Sequence, residues 1–144
     1  MDNEEHYRKL ENMMHGAPMV KLAGARARIG NGETEITLPV DPKLFHAAGA
    51  LHGSMYFLAL DNAAFFAANS LVEKHFVLTA NFNIYLIRPV AKGTLTARGK
   101  VVSRTRTQFI CEAVARDDKG REVARGTGTF VRSRQPLSPE IGYK

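Results

Sequence analysis

From Met55 to Ala68 the chain is almost wholly apolar, and only Asp61 and Asn62 interrupt it with strongly polar side chains. The surrounding segment, residues 52–70, is rich in Ala, Leu and Phe and holds no Gly or Pro after Gly53. It reads as a helix that is apolar nearly all round, which requires cover on most sides. A carboxylate is costly to bury there, because an ionised group gives up its hydration. Asp61 is therefore either paired for structural reasons or part of a site that uses its perturbed surroundings.

The rest of the chain supplies cover of a particular kind. Residues 3–14 read as a short amphipathic helix with Leu10, Met13 and Met14 on one side, broken by His15-Gly16-Ala17-Pro18. Residues 20–29 and 33–40 read as two strands joined through Gly30-Asn31-Gly32, and Ile36, Leu38 and Val40 alternate cleanly in the second. After the apolar helix come four strand-like runs, roughly 77–88, 94–104, 107–117 and 122–131, with a turn signal at Asp117-Asp118-Lys119-Gly120. This order predicts one antiparallel α+β domain over residues 1–144, with six strands wrapped around the long helix. Residues 1–17 form its N-terminal helix and linker, and residues 135–144, with Pro136, Pro139 and Gly142, are expected to be a loosely ordered tail. A helix apolar over its whole circumference needs more cover than one sheet gives, which points to a second subunit.

Charge and cysteine usage narrow the partners. The net charge of +6 favours an anionic partner, either nucleic acid or a phosphate-bearing molecule such as coenzyme A. With no Trp, basic helix, zinc-finger spacing or aromatic-rich RNA-binding pattern, nucleic acid is not expected. The single cysteine, Cys111, sits in an alternating strand and fits a packed thiol in a reducing compartment. Met1-Asp2-Asn3-Glu4-Glu5 is acidic and lacks the basic-then-apolar order of a secretory signal. No apolar run reaches the roughly 18 to 20 residues of a membrane span, so a soluble cytoplasmic protein without membrane association is expected. No His or Cys pair has metal-ligand spacing and no Gly-rich loop follows a strand, so no metal or bound cofactor is expected.

Helix geometry then constrains the chemistry. His52 and Asp61 are nine residues apart, which at about 100° and 1.5 Å per residue sets them on opposite faces and roughly 13 Å apart along the axis. One chain cannot bring both to a small reacting group, so a shared site needs two helices side by side in a two-fold dimer. At the helix start, backbone N–H groups near Gly53 and Ser54 lack intrahelical acceptors and can hold a developing oxyanion; alternatively, these two residues simply start a helix.

His52-Gly53-Ser54, with Asp61 nine residues after the histidine, resembles the His-Gly-Gly…Asp signature of the PaaI-type hotdog-fold acyl-CoA thioesterases. Thr79-Ala80-Asn81-Phe82-Asn83-Ile84-Tyr85 with Arg88-Pro89, then Gly93 and Gly120, extend the likeness over residues 20–131. The resemblance implies a hotdog fold, a homodimer or dimer of dimers (a homotetramer), and hydrolysis of an acyl-CoA, with coenzyme A present only as part of the substrate. It implies that the Gly53 N–H polarises the thioester carbonyl while Asp61 of the facing subunit activates water or attacks directly. Thr79 would orient the water and His52 would lie near the thiolate leaving group. His46 occupies the position of a usual Asn, and Ser54 that of the second Gly. Ser54, Asn62, Phe65, Arg88, Arg104 and Arg106 are the candidate substrate-binding residues, and Lys74 and Lys92 could also meet phosphates. Tyr56, Phe57, Phe65, Phe66 and Tyr85 either line an acyl tunnel or fill the core. The readings that compete are a catalytically inactive acyl-CoA-binding or regulatory module and a hotdog hydratase or dehydratase.

Overall fold

A computed structural model describes residues 3–144; Met1 and Asp2, the start of the acidic N-terminal run, lie outside the described residues. Two short helices, α1 (Glu4–Gly16) and α2 (Pro18–Ala23), precede a hairpin of β1 (Arg26–Gly30) and β2 (Glu33–Pro39). The long helix α3 (Gly53–Asn69) follows, then β3 (His75–Leu86), β4 (Thr94–Arg104), β5 (Gln108–Arg116) and β6 (Glu122–Pro136). All six strands form one antiparallel sheet in the order β1-β2-β4-β5-β6-β3, with α3 packed on one face. This is the α+β arrangement expected from the sequence. Among the described residues no helix is long and apolar enough to cross a membrane.

The sheet face under α3 is set by strand alternation. On β5, Phe109, Cys111, Ala113 and Ala115 are buried while the residues between them are partly exposed. Cys111 is thus a packed thiol whose burial pushes its pKa up to about 12. On the helix, Ala59, Ala63, Ala64, Ala67 and Ala68 are buried, and the small side chains allow α3 to touch the sheet backbone. At Gly99 of β4 a Cβ would stand 2.4 Å from both the carbonyl carbon and oxygen of Ala63. Any larger residue there would lift the helix that carries Asp61.

Three expectations are corrected. The first strand does not begin at residue 20: Pro18 opens helix α2 at a position where a missing N–H costs nothing, and the strand starts at Arg26. The last strand does not stop at residue 131 but runs to Pro136. Residues 135–144 are not a free tail, because Leu137, Ile141 and Tyr143 pack against the core. The Tyr143 hydroxyl bonds Nδ1 of the buried His6 at 2.7 Å, and His6 Nε2 donates to the Asn69 carbonyl at 2.9 Å. Pro and Gly break regular structure only locally, and spaced apolar residues between them still found cover.

The two sheet edges differ. On β1 the outward N–H groups of Ala27 and Ile29 donate to His15 Nε2 at 2.9 Å and Glu11 Oε2 at 2.8 Å, so α1 caps that edge. Among the described residues the outer edge of β3 has no neighbouring strand, and it exposes Leu78, Tyr85 and Leu86, with Ile87 just beyond. His15 accepts a hydrogen bond through Nε2 and must be unprotonated there. Burial, helped by Arg26 and opposed by Glu11, lowers its pKa below the usual 6.5. The folded state therefore prefers neutral His15, and stability falls as pH drops from about 6.5 through the lowered value. Melting curves between pH 7 and 5 should show a steeper loss for the native chain than for His15→Gln, whose amide oxygen still accepts; equal slopes would refute this.

Candidate functional site

His52 caps α3. Its Nδ1 accepts from the Ser54 N–H at 3.1 Å and lies 2.8 Å from Ser54 Oγ, which places the ring proton on Nε2 when the imidazole is neutral. Ser54 serves this cap, and the Gly53 N–H meets no acceptor among the described residues. The positive end of a seventeen-residue helix is thus presented through one unpaired amide. His46 behaves similarly within the preceding loop. Its Nδ1 accepts from the Ala48 N–H at 3.0 Å, leaving Nε2–H as the free group.

Asp61 is half-buried and has no cation within ion-pair range among the described residues. Its polar partner is Thr79, whose Oγ1 donates to Asp61 Oδ1 at 2.9 Å. Burial raises the carboxyl pKa above the ordinary range, and the Thr79 bond partly opposes that. A half-desolvated carboxylate with one hydroxyl to orient it is a stronger base and nucleophile than a hydrated one.

Three contacts lie in line along α3 and β3, which run antiparallel. A Cβ on Gly53 would stand 3.2 Å from Leu86 Cδ1. One turn on, the rings of Phe57 and Phe82 meet edge to face at 5.5 Å. A further turn on comes the bond from Thr79 to Asp61, beside a bulge that shifts the β3 register between Thr79 and Asn81. Phe82 in turn lies flat on β6, where a Cβ on Gly126 or Gly128 would come within 2.3 or 2.6 Å of its ring.

The remaining candidates divide. Asn62 spends its Nδ2 on the Leu58 carbonyl at 2.8 Å, within its own helix. Phe65 is buried against Phe66, Phe76 and Phe130, in the core rather than along an open channel. Arg88 is not brought together with Arg104 and Arg106. It follows the Leu86 end of β3, whereas Arg104 lies level with Thr79, as the register from Phe109 through Phe130 shows. Most of a strand length, roughly 25 Å, separates them. Beside Arg106 stands Arg132, whose Nη1 donates to the Arg106 carbonyl and whose guanidinium covers the Phe109 ring at 5.3 Å. Arg132 and Arg134 extend this basic end and were not singled out from the sequence, since only the β6 extension places them there.

Comparison with known proteins follows the same outline. Residues 48–124, just over half of the chain, match the family described as the thioesterase superfamily. A thioesterase family protein from Silicibacter pomeroyi is 30% identical, with 88% of this chain and 97% of that one covered and a TM-score of 0.81. The Escherichia coli PaaI protein superposes with a TM-score of 0.85 over 94% of this chain and 98% of its own, at 20% identity, a likeness of fold alone. A Saccharolobus solfataricus protein, named only provisionally as an esterase, is 26% identical over 77% of this chain and 74% of its own length.

Proposed function

The chain belongs to the thioesterase superfamily and has the hotdog fold, and from that premise we propose that it hydrolyses acyl-coenzyme A at sites shared by two copies of itself. The observation that carries this reading is Asp61, a half-buried carboxylate with no ion-pair partner among the described residues, held by Thr79 beside an open strand edge. Gly53 lies eight residues away on the same helix, about 12 Å along the axis. One chain therefore cannot offer both groups to one thioester.

A second copy supplies what is missing. The β3 edge is open and exposes Leu78, Tyr85 and Leu86, while α1 caps the β1 edge. Antiparallel pairing of two β3 strands would set the Gly53–Leu86 contact of one chain beside the Asp61–Thr79 pair of the other. The same operation moves the partner's basic end, with Arg104, Arg106 and Arg132, toward the end that holds Arg88. Residues that one chain keeps apart then converge where the phosphates of coenzyme A would leave the site.

In that site the Gly53 N–H bonds the thioester oxygen and stabilises the oxyanion. Asp61 either takes a proton from water, whose oxygen bonds the carbonyl carbon, or adds its own oxygen to that carbon. Collapse of the adduct breaks the C–S bond and releases the coenzyme A thiolate, to which His52 Nε2–H would donate a hydrogen bond while the proton given up by water goes to the sulfur. On the second route water then cleaves the acyl-aspartyl anhydride, so both routes yield a carboxylic acid and the free thiol.

His46 bears on the rival reading of an inactive binding module. An amide accepting the Ala48 N–H through its oxygen would leave N–H as its free group, and His46 leaves Nε2–H. The donor survives the exchange, which favours retained catalysis. Thiol release from short, medium, long and aryl acyl-CoAs tests the proposal. Turnover of at least one is expected; binding without turnover of any would make the chain an acyl-CoA-binding module.

A further inference from the structure

We propose that Phe57 stands on the two-fold axis of the dimer, against the partner subunit's Phe57, and that this pair is the wall on which the acyl chain ends. The inference rests on the shared-site reading and deepens it to the size of the acyl group.

Symmetry places the axis. When Gly53 of each helix faces Asp61 of the other, the residue midway between them must face its own copy, and that residue is Phe57. The strand contacts of these residues carry the same midpoint onto β3. Leu86 accompanies Gly53 and Thr79 accompanies Asp61, so the midpoint on β3 falls at Phe82 and Asn83. Phe57 and Phe82 are themselves in contact, with ring centroids 5.5 Å apart. Helix and strand thus put the axis at one spot.

The side chains at that spot suit an interface. Phe57 is 40% exposed, whereas Met55, Tyr56, Leu58, Leu60, Phe65 and Phe66 of the same helix are buried. Behind it Phe82 has no room to retreat, because its ring lies on the backbone of Gly126 and Gly128. The wall is backed by main chain.

Orientation of the substrate follows from charge. Coenzyme A is anionic, and Arg88, Arg104, Arg106 and Arg132, which make no ion pair among the described residues, lie toward the outer ends of the sheet. The nucleotide therefore points outward and the acyl group inward, toward the axis. From Asp61 to Phe57 is one helical turn, about 6 Å along the axis. That length admits a short acyl group and stops a long one, and the two sites of a dimer meet back to back at the phenylalanine pair.

Two measurements test this. Phe57→Cys, treated with a short bismaleimide that bridges two thiols about 8 Å apart, should give a covalently linked dimer on a denaturing gel, while Ser54→Cys, away from the axis, should not. Cys111 is buried and stays common to both. Absence of the cross-link in the Phe57→Cys protein overturns the axis. Affinities of acyl-CoAs of increasing length, read calorimetrically on Asp61→Asn protein, should favour short chains. Adding Phe57→Ala should raise the affinity for long chains at least about tenfold relative to short ones, with Phe57→Leu between. An unchanged length preference overturns the wall. Neither readout uses turnover, so a failure of hydrolysis is recorded separately from a failure of this inference.

Discussion

Asp61→Asn lowers kcat for thioester hydrolysis by roughly 10²–10⁴-fold while the protein remains folded. The asparagine keeps the shape and can still accept the Thr79 hydroxyl, so the change removes the base and little else. Stability supports the distinction. Burial raises the Asp61 pKa, so the fold favours the neutral carboxyl, and stability falls as pH rises from the ordinary carboxylate range through the raised value. At neutral pH the neutral amide relieves that cost, and the variant should melt no lower than the native chain. The same shift predicts the pH profile. Activity needs the ionised form, so the acidic limb of kcat/KM lies above the usual Asp value of about 3.9. Thr79→Val removes the bond that opposes the shift and moves the limb higher, whereas Thr79→Ser leaves it in place. Retained turnover in Asp61→Asn would end the assignment.

The sequence made one side of this site legible and hid the other. Asp61 stood out because its neighbours are apolar, and that contrast is local. The limits of β4, residues 94–104, matched because Gly93 and the strand alternation mark them directly. The fold class followed from element order alone. Non-local partners left weaker traces. Phe57 reads as one more aromatic in an apolar run, and only the partner across the helix, Phe82 on its glycine shelf, distinguishes it. Its position four residues from both Gly53 and Asp61 was a signal available in the sequence. Phe65, at the same spacing beyond Asp61, shows why spacing was insufficient, since it turns into the core beside Phe130. The placement of the arginines was hidden for a related reason. Arg88, Arg104 and Arg106 are close enough in sequence to suggest one patch, but antiparallel strands carried Arg88 to the opposite end.

Gly53→Pro and Asp61→Asn proteins, each nearly inactive alone, regain roughly a quarter of native turnover when mixed and allowed to exchange subunits. Gly53 is the first residue of α3, where proline fits the helix and deletes only the N–H under test. His52 before it is already extended, at φ −61° and ψ 141°, the conformation a following proline prefers. A new Cβ there would meet Leu86 Cδ1, the far end of a flexible side chain. Loss of the amide should cost about 10²–10³ in kcat with the fold intact, the scale expected for one oxyanion donor. In a mixed dimer the first site combines both defects, and the second takes a native Gly53 from one chain and a native Asp61 from the other. Half of the dimers formed at random are mixed, and half of their sites work, which gives the quarter. Sites built within one chain would contain a defect in every arrangement, and the mixture would stay inactive. The experiment therefore reads directly whether the 12 Å between Gly53 and Asp61, about eight residues of helix, is bridged by a second copy of the chain.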